Sequence, residues 1–161
     1  MTCLNLGCGL DKRPNCINLD VRKDVNPDVI WDLEKLPLPF QDNYFDEIIA
    51  QDVIEHISHT KVEELLRELY RILKHNGRIY IRVPDLEAIM KMLIPDGCHG
   101  GLCGWKAISY WIYGAQDYPE NTHKSGFTIV TLKKLLETVG FVVEDIYNDG
   151  GTNIVCYARK P

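Results

Sequence analysis

Short apolar runs that end on a polar residue recur through the first half of this chain. They predict strands whose tips carry the chemistry. Cys3-Leu4-Asn5-Leu6 breaks into Gly7-Cys8-Gly9, and Ile17 and Leu19 lead to Asp20. Alternation with a period of two marks a half-buried strand. Asp28-Val29-Ile30-Trp31-Asp32 predicts a third short strand that again closes on an acid. Phe45 to Ala50 predicts a fourth, running into the polar stretch Gln51-Asp52-Val53-Ile54-Glu55-His56. Leu36-Pro37-Leu38-Pro39-Phe40 is excluded from regular structure, because two prolines remove amide donors and bias their predecessors to extended conformations.

The period then changes. Val62, Leu65, Leu66, Leu69, Ile72 and Leu73 share one helical face. Thr60 with Glu63 reads as its capping box, and Gly77 as its C′ residue. Arg78 to Val83 is the fifth strand, and Asp85 caps a helix carrying Leu86, Ile89, Met90 and Leu93, stopped by Pro95. Residues 95–126 form an insert of different texture, holding six of the twelve glycines and two of the three tryptophans. Within it Trp105, Ile108 and Ile112 fit one helix face, and both flanks read as loops. Leu132, Leu135, Leu136 and Val139 predict a last helix closing at Gly140. Phe141 to Tyr147 and Thr152 to Ala158 then flank Asn148-Asp149-Gly150-Gly151, a hairpin signal.

The order is β-β-β-β-α-β-α-insert-α-β-β, which predicts an α/β fold with a mainly parallel sheet and a C-terminal antiparallel hairpin. One connection is unusual. About nine residues join the first two strands, where a parallel crossover takes at least ~10–12 and usually a helix. The first crossover is therefore shortened, and Pro14 further limits helix there.

The length of 161 residues suits a single domain with a real core. A net charge of −5 argues against a nucleic-acid partner, which needs a basic face. No apolar run reaches the ~20 residues of a membrane-spanning helix, and no signal segment precedes the first strand. The expected compartment is the cytoplasm, with no membrane partner. On that reading all six cysteines are expected to be reduced thiols. Nothing in the sequence assigns an oligomeric state.

Taken in order, Leu4-Asn5-Leu6-Gly7-Cys8-Gly9, Asp20, Asp32 with Leu36-Pro37 and Phe40, Phe45-Asp46 through Glu55-His56, and Leu73-Lys74-His75-Asn76-Gly77-Arg78 form a specific set. With the weaker tail Leu135 to Phe141, they resemble the class I S-adenosyl-L-methionine (SAM)-dependent methyltransferases, particularly the small type 11-like group. The resemblance implies a Rossmann-like seven-stranded sheet with SAM across the strand tips. It implies a turn at Gly7, Cys8 and Gly9 against the amino-acid arm, and Asp20, with Val21 beside it, on the ribose hydroxyls. Asp32 and the Leu33 amide would take the adenine, while Gln51, Asp52 and Val53 would line the sulfonium side. Asn5 stands where the family's first motif is usually acidic, keeping hydrogen bonding without the charge. The implied reaction moves a methyl group to O or N of an acceptor and leaves S-adenosyl-L-homocysteine.

His123 is the first candidate for a general base and His56 the second, since a histidine titrates near neutral pH. The run Ile112 to His123 resembles a pattern in methyltransferases near glycan-synthesis enzymes, so the expected acceptor is a small molecule or glycan-like. Cys98, His99, Cys103 and His123 lack the paired short spacings of a structural zinc site, and no metal is expected. Two other classes are weighed. A SAM-binding module that only partners a catalytic subunit fits Asn5 and the short crossover. A nicotinamide-dependent oxidoreductase is disfavoured, because Lys12 stands where Gly-x-Gly-x-x-Gly needs its third glycine.

Overall fold

The apolar runs pair as strands in the expected sequence. The computed structural model describes residues 1–93 and 98–161. Its strands are β1 Cys3–Leu6, β2 Cys16–Asp20, β3 Val29–Ile30, β4 Phe45–Gln51, β5 Leu73–Pro84, β6 Cys98–His99, β7 Leu102–Cys103, β8 Val142–Asn148 and β9 Asn153–Arg159. The helices are α1 Val62–Ile72, α2 Leu86–Leu93, α3 Trp105–Tyr113 and α4 Ile129–Val139. Seven strands form one sheet in the order β3-β2-β1-β4-β5-β9-β8, and β6 and β7 form a separate hairpin. β1 lies parallel between β2 and β4, with Leu4 beside Ile17 and Ile48. β9 runs antiparallel to both β5 and β8. The α/β, Rossmann-like reading with its terminal hairpin is what the structure has.

One face of the sheet carries the core. Leu4, Leu6, Ile48, Ala50, Ile79, Ile81, Ile154 and Cys156 are buried there with Leu65, Leu66 and Leu69 of α1 and Leu132 and Leu136 of α4. Each such aliphatic side chain contributes about 1.5–3 kcal/mol on burial. The alternate positions of β5 and β9 look the other way; Tyr80 and Arg82 are half-buried and Tyr157 exposed, while Val155 stays buried. That division follows from the strand's period of two.

The first crossover has no helix. Residues 7–15 cross by turns, braced by Asn18, whose Oδ1 accepts from the Arg13 amide at 2.8 Å and from Asn5 Nδ2 at 3.0 Å. Asn18 Nδ2 in turn donates to Asp28 Oδ2 at 2.8 Å. A side-chain network replaces the missing helix.

Several expectations need correction. α1 has no capping box: its N-cap is Lys61, without a side-chain cap. Thr60 Oγ1 instead pairs with Ser58 Oγ at 3.0 Å. The helix ends at Ile72, because fully buried Leu73 already pairs with Phe45 as the first residue of β5. Gly77 therefore lies inside a strand, and the left-handed residue of this bulged stretch is Asn76, at φ +61°. The third strand shrinks to two residues. The Pro95 helix stop and the start of the insert lie outside the described residues. The flank 98–103, read as loop, is a hairpin instead.

α3 turns a different face inward than expected. Trp105 is 72% exposed, whereas Ala107 is fully buried. Ala107 joins Ile89 and Leu93 of α2 in a small second core, with Trp111 and Ile112 packed against it. The cysteines are corrected too. Cys3–Cys16 and Cys98–Cys103 are disulfides, and only Cys8 and Cys156 are free among the described residues. Both bridges join residues that the strand register sets opposite each other, a proximity that sequence spacing does not reveal.

The chain end is pinned by one buried cation. Lys160 Nζ donates to the carbonyls of Tyr70 and Leu73 at 2.9 Å each and to Asn43 Oδ1 at 2.8 Å. Methionine would fill the space but leave three acceptors without a donor. Lys160→Met is expected to cost about 3 kcal/mol or more, since each of the three unmet partners carries about 1–3 kcal/mol. Denaturant unfolding checks this, and a loss under 0.5 kcal/mol would show that water replaces the ammonium.

Candidate functional site

The carboxyl-terminal tips of β1, β2 and β4 open on a cavity of about 310 Å³. Parallel α/β sheets bind ligands at such strand tips. Gly7 at φ +61° and Gly9 at φ +49° turn the chain away from β1, a conformation glycine adopts without steric cost. A side chain added at Gly9 would meet nothing within 4 Å, so the turn leaves open space on its cavity side. Asp20 closes the opposite lip. Its Oδ2 accepts the Gly9 amide at 2.7 Å and its Oδ1 the Arg22 amide at 2.8 Å. The carboxylate is thereby held in one orientation with a second lone pair on each oxygen to offer.

Asp32 and Leu33 form a further part of the wall, beside Trp31. Asp32 Oδ1 accepts the Glu34 amide at 3.0 Å, an Asx turn that presents the Leu33 backbone. Asp52 and Val53 line the β4 side. Asp52 sits at φ +52° and forms a two-pronged pair with Arg82, Nε to Oδ1 at 2.8 Å and Nη2 to Oδ2. The charged wall is mainly acidic: Asp20, Asp32, Glu34, Asp52 and Glu120 against Arg22 and Lys124. That balance favours a ligand carrying positive charge.

Of the sequence candidates, Gly7, Gly9, Asp20, Val21, Asp32, Leu33, Asp52, Val53 and His56 meet in this wall. Asn5, Cys8 and Gln51 lie behind it. Asn5 Nδ2 binds the Asp11 carbonyl and Asn18, Cys8 is buried with its amide on the Leu19 carbonyl, and Gln51 Oε1 accepts from Arg13 at 3.3 Å. They shape the turn and the short crossover. Tyr118, Glu120 and Lys124 from the insert were missed as lining residues. Arg22 stacks 4.4 Å over the Tyr118 ring and Lys124 pairs with Glu34 at 3.1 Å, so both draw the insert onto the rim. The aromatic texture of 95–126 and the run Ile112 to His123 were the signals in the sequence.

His123 lines an adjoining cavity of about 300 Å³ with Asp52, Arg82, Tyr110, Trp111 and Asn153. Asp52 belongs to both walls. Trp111 Nε1 is buried without a hydrogen-bond partner. His56 and His123 sit edge to face across the junction, ring centroids 5.0 Å apart. Backbone bonds hold the two segments together: the Lys124 and Ser125 amides both reach the Glu55 carbonyl, at 2.7 and 3.0 Å. Burial lowers the pKa of both imidazoles, with some opposition from the carbonyls of Thr122 and Ile112 that accept from them. Glu55 beneath them is pushed up to about 8 by burial. Neutral pH leaves both rings uncharged and able to accept a proton.

A family model described as a methyltransferase domain matches residues 5–146. The ubiquinone/menaquinone biosynthesis C-methyltransferase of Escherichia fergusonii is 32% identical over 119 residues, covering 69% of this chain and 44% of that protein. An uncharacterised protein of Methanocaldococcus jannaschii is 32% identical over 99 residues, covering 55% of this chain and 43% of its own length. The chain thus spans somewhat under half the length of the curated relatives it matches. Among solved structures, a SAM-dependent methyltransferase from Archaeoglobus fulgidus superposes with a TM-score of 0.69 at 18% identity, covering 99% of this chain and 86% of that one. Among the described residues, no helix is long and apolar enough to cross a membrane.

Proposed function

The chain belongs to the methyltransferase domain family, and from that premise we propose that it is a SAM-dependent methyltransferase acting on an oxygen or nitrogen of a small-molecule or glycan-like acceptor. The observation that carries the reading is Asp20, fixed by two backbone amides at the β2 tip and facing the cavity with the Gly7–Gly9 turn and Asp32. SAM offers what these groups require: a ribose diol for a carboxylate, an adenine amine for Asp32 and a cationic head for an acidic wall. The bound cofactor supplies a methyl group already activated by its sulfonium.

The chain's own contribution is alignment and exclusion of water. The adjoining cavity seats the acceptor. His123 would take the acceptor's proton, a role its position in the wall of the adjoining cavity supports, and His56 would stand second, on the cofactor side. General-base catalysis is worth about 10²–10⁴-fold. His123→Ala is expected to slow methyl transfer by that order while S-adenosylhomocysteine affinity, measured calorimetrically, stays within a factor of about two. An unchanged rate would remove His123 from the chemistry. Thermal protection by NAD in place of S-adenosylhomocysteine would overturn the cofactor, and a methyl group on carbon would overturn the acceptor class.

A further inference from the structure

Glu55, His56 and His123 each offer one ligand atom at the junction of the two cavities, and these atoms all lie within 4.8 Å of one another. His56 Nε2 is 3.9 Å from Glu55 Oε1. The His56 imidazole is already oriented through its other nitrogen: Nδ1 donates to the Thr122 carbonyl at 3.2 Å. Metal-bound histidines are held in this way, with the second ring nitrogen on a carbonyl or carboxylate. Glu55 supplies an independent sign. Its side chain is 3% exposed, and Oε2 is buried with no hydrogen-bond partner. An unpaired buried carboxyl oxygen carries a desolvation cost that a bound cation would remove. The nearby guanidinium of Arg82 is engaged by Asp52.

We propose that Glu55, His56 and His123 bind one divalent cation of the zinc class, with an open coordination position toward the acceptor cavity. Two imidazoles and one carboxylate suit zinc or a neighbouring first-row ion, whereas magnesium and calcium prefer oxygen ligands throughout. Bonds of about 2.0–2.1 Å need ligand atoms roughly 3.4 Å apart in a tetrahedral site. The trio reaches that spacing by contracting at most about 1.4 Å at the widest pair, within side-chain rotation. The backbone bonds from Lys124 and Ser125 to Glu55 already fix the two segments.

The cation's role rests on the methyl-transfer reading above; its binding does not. An acceptor hydroxyl in the open position would lose its proton to water more readily. Its oxygen would form the new bond to the methyl carbon as the carbon–sulfur bond breaks and the electron pair stays on sulfur. In the loaded protein His123 is then a ligand, and metal dependence of turnover separates this role from that of a free base.

Untagged protein, stripped with a chelator and dialysed, is titrated with Zn²⁺ by calorimetry, and Co²⁺ absorption reports coordination. One equivalent per chain is expected. Outer partners of a metal site are worth about 10–100-fold in affinity, so loss of a ligand in Glu55→Gln or His123→Ala is expected to weaken Zn²⁺ by about 100-fold or more. Thermal unfolding shows that each variant folds, and if Glu55→Gln does not, His123→Ala and His56→Ala decide. Absence of saturable binding, or affinity unchanged in the folded variants, overturns the site. Failure of the metal with persistent loss of turnover in His123→Ala would leave the methyl-transfer reading standing. Zn²⁺ binding without methyl transfer to any acceptor would support the site and sink that reading.

Discussion

Asp20→Ala is expected to weaken S-adenosylhomocysteine binding by about 100-fold or more, with little change in the stability of the free protein. The carboxylate makes two kinds of contact. Inside the chain it accepts the Gly9 amide at 2.7 Å and the Arg22 amide at 2.8 Å, and toward the cavity it would accept both ribose hydroxyls. Each hydrogen bond to a charged group contributes about 1.5–3 kcal/mol. Loss of two therefore removes about 3 kcal/mol or more, and every 1.4 kcal/mol is tenfold. The free protein loses two bonds but also the cost of holding a nearly buried charge, so its own stability moves little. Asp20→Asn separates charge from shape. Its amide group turns a donor toward either the Gly9 or the Arg22 N–H and the ribose hydroxyl on that side, so affinity is expected to fall almost as far. Calorimetry on both variants, with thermal unfolding of the free proteins, measures the two effects. Affinity within fivefold of the parent in Asp20→Ala would mean that the ribose is not held there.

The strands and their order were legible because each apolar run alternates with a period of two and ends on a group with chemistry. Asp20 and Asp32 announced the cavity wall in the same way. What stayed hidden depended on which strands and turns become neighbours. Leu73 continues the helical period on paper, yet its pairing with Phe45 gives it to the sheet. Cys3 and Cys16 lie thirteen residues apart, and only the parallel register brings their Cα atoms to 4.4 Å. Glu55 stands in the sequence only as part of the polar stretch after the fourth strand, because its neighbour His123 follows the whole insert. The bonds that bring them together are backbone bonds from Lys124 and Ser125, which no side-chain pattern encodes. Trp105 misled for the opposite reason. A large aromatic at helical spacing predicts core, but α3 buries its small residue Ala107 against α2 instead.

Gly7→Ala is expected to destabilise the folded chain by about 2–5 kcal/mol, from two sources that a control can divide. The position has φ +61°, where an L-residue costs about 1–2 kcal/mol. A Cβ there would also sit 2.3 Å from Val53 Cγ2 and 2.8 Å from Val53 Cβ. Val53 is buried and stiff at χ1. Rotation moves Cγ2 but not Cβ, so the backbone itself must shift, and overpacking of this kind costs about 1–3 kcal/mol. Gly9→Ala supplies the control. Its φ is also positive, at +49°, but an added Cβ meets nothing within 4 Å. Gly9→Ala should therefore lose only the backbone contribution, about 1–2 kcal/mol. Val53→Ala in the Gly7→Ala background should recover only part of the difference, because Cβ remains. Denaturant unfolding of the four proteins measures this. If Gly7→Ala is no less stable than Gly9→Ala, the Gly7 turn does not press on Val53. The cofactor's approach to that side of the cavity would then be set by the glycine's φ alone.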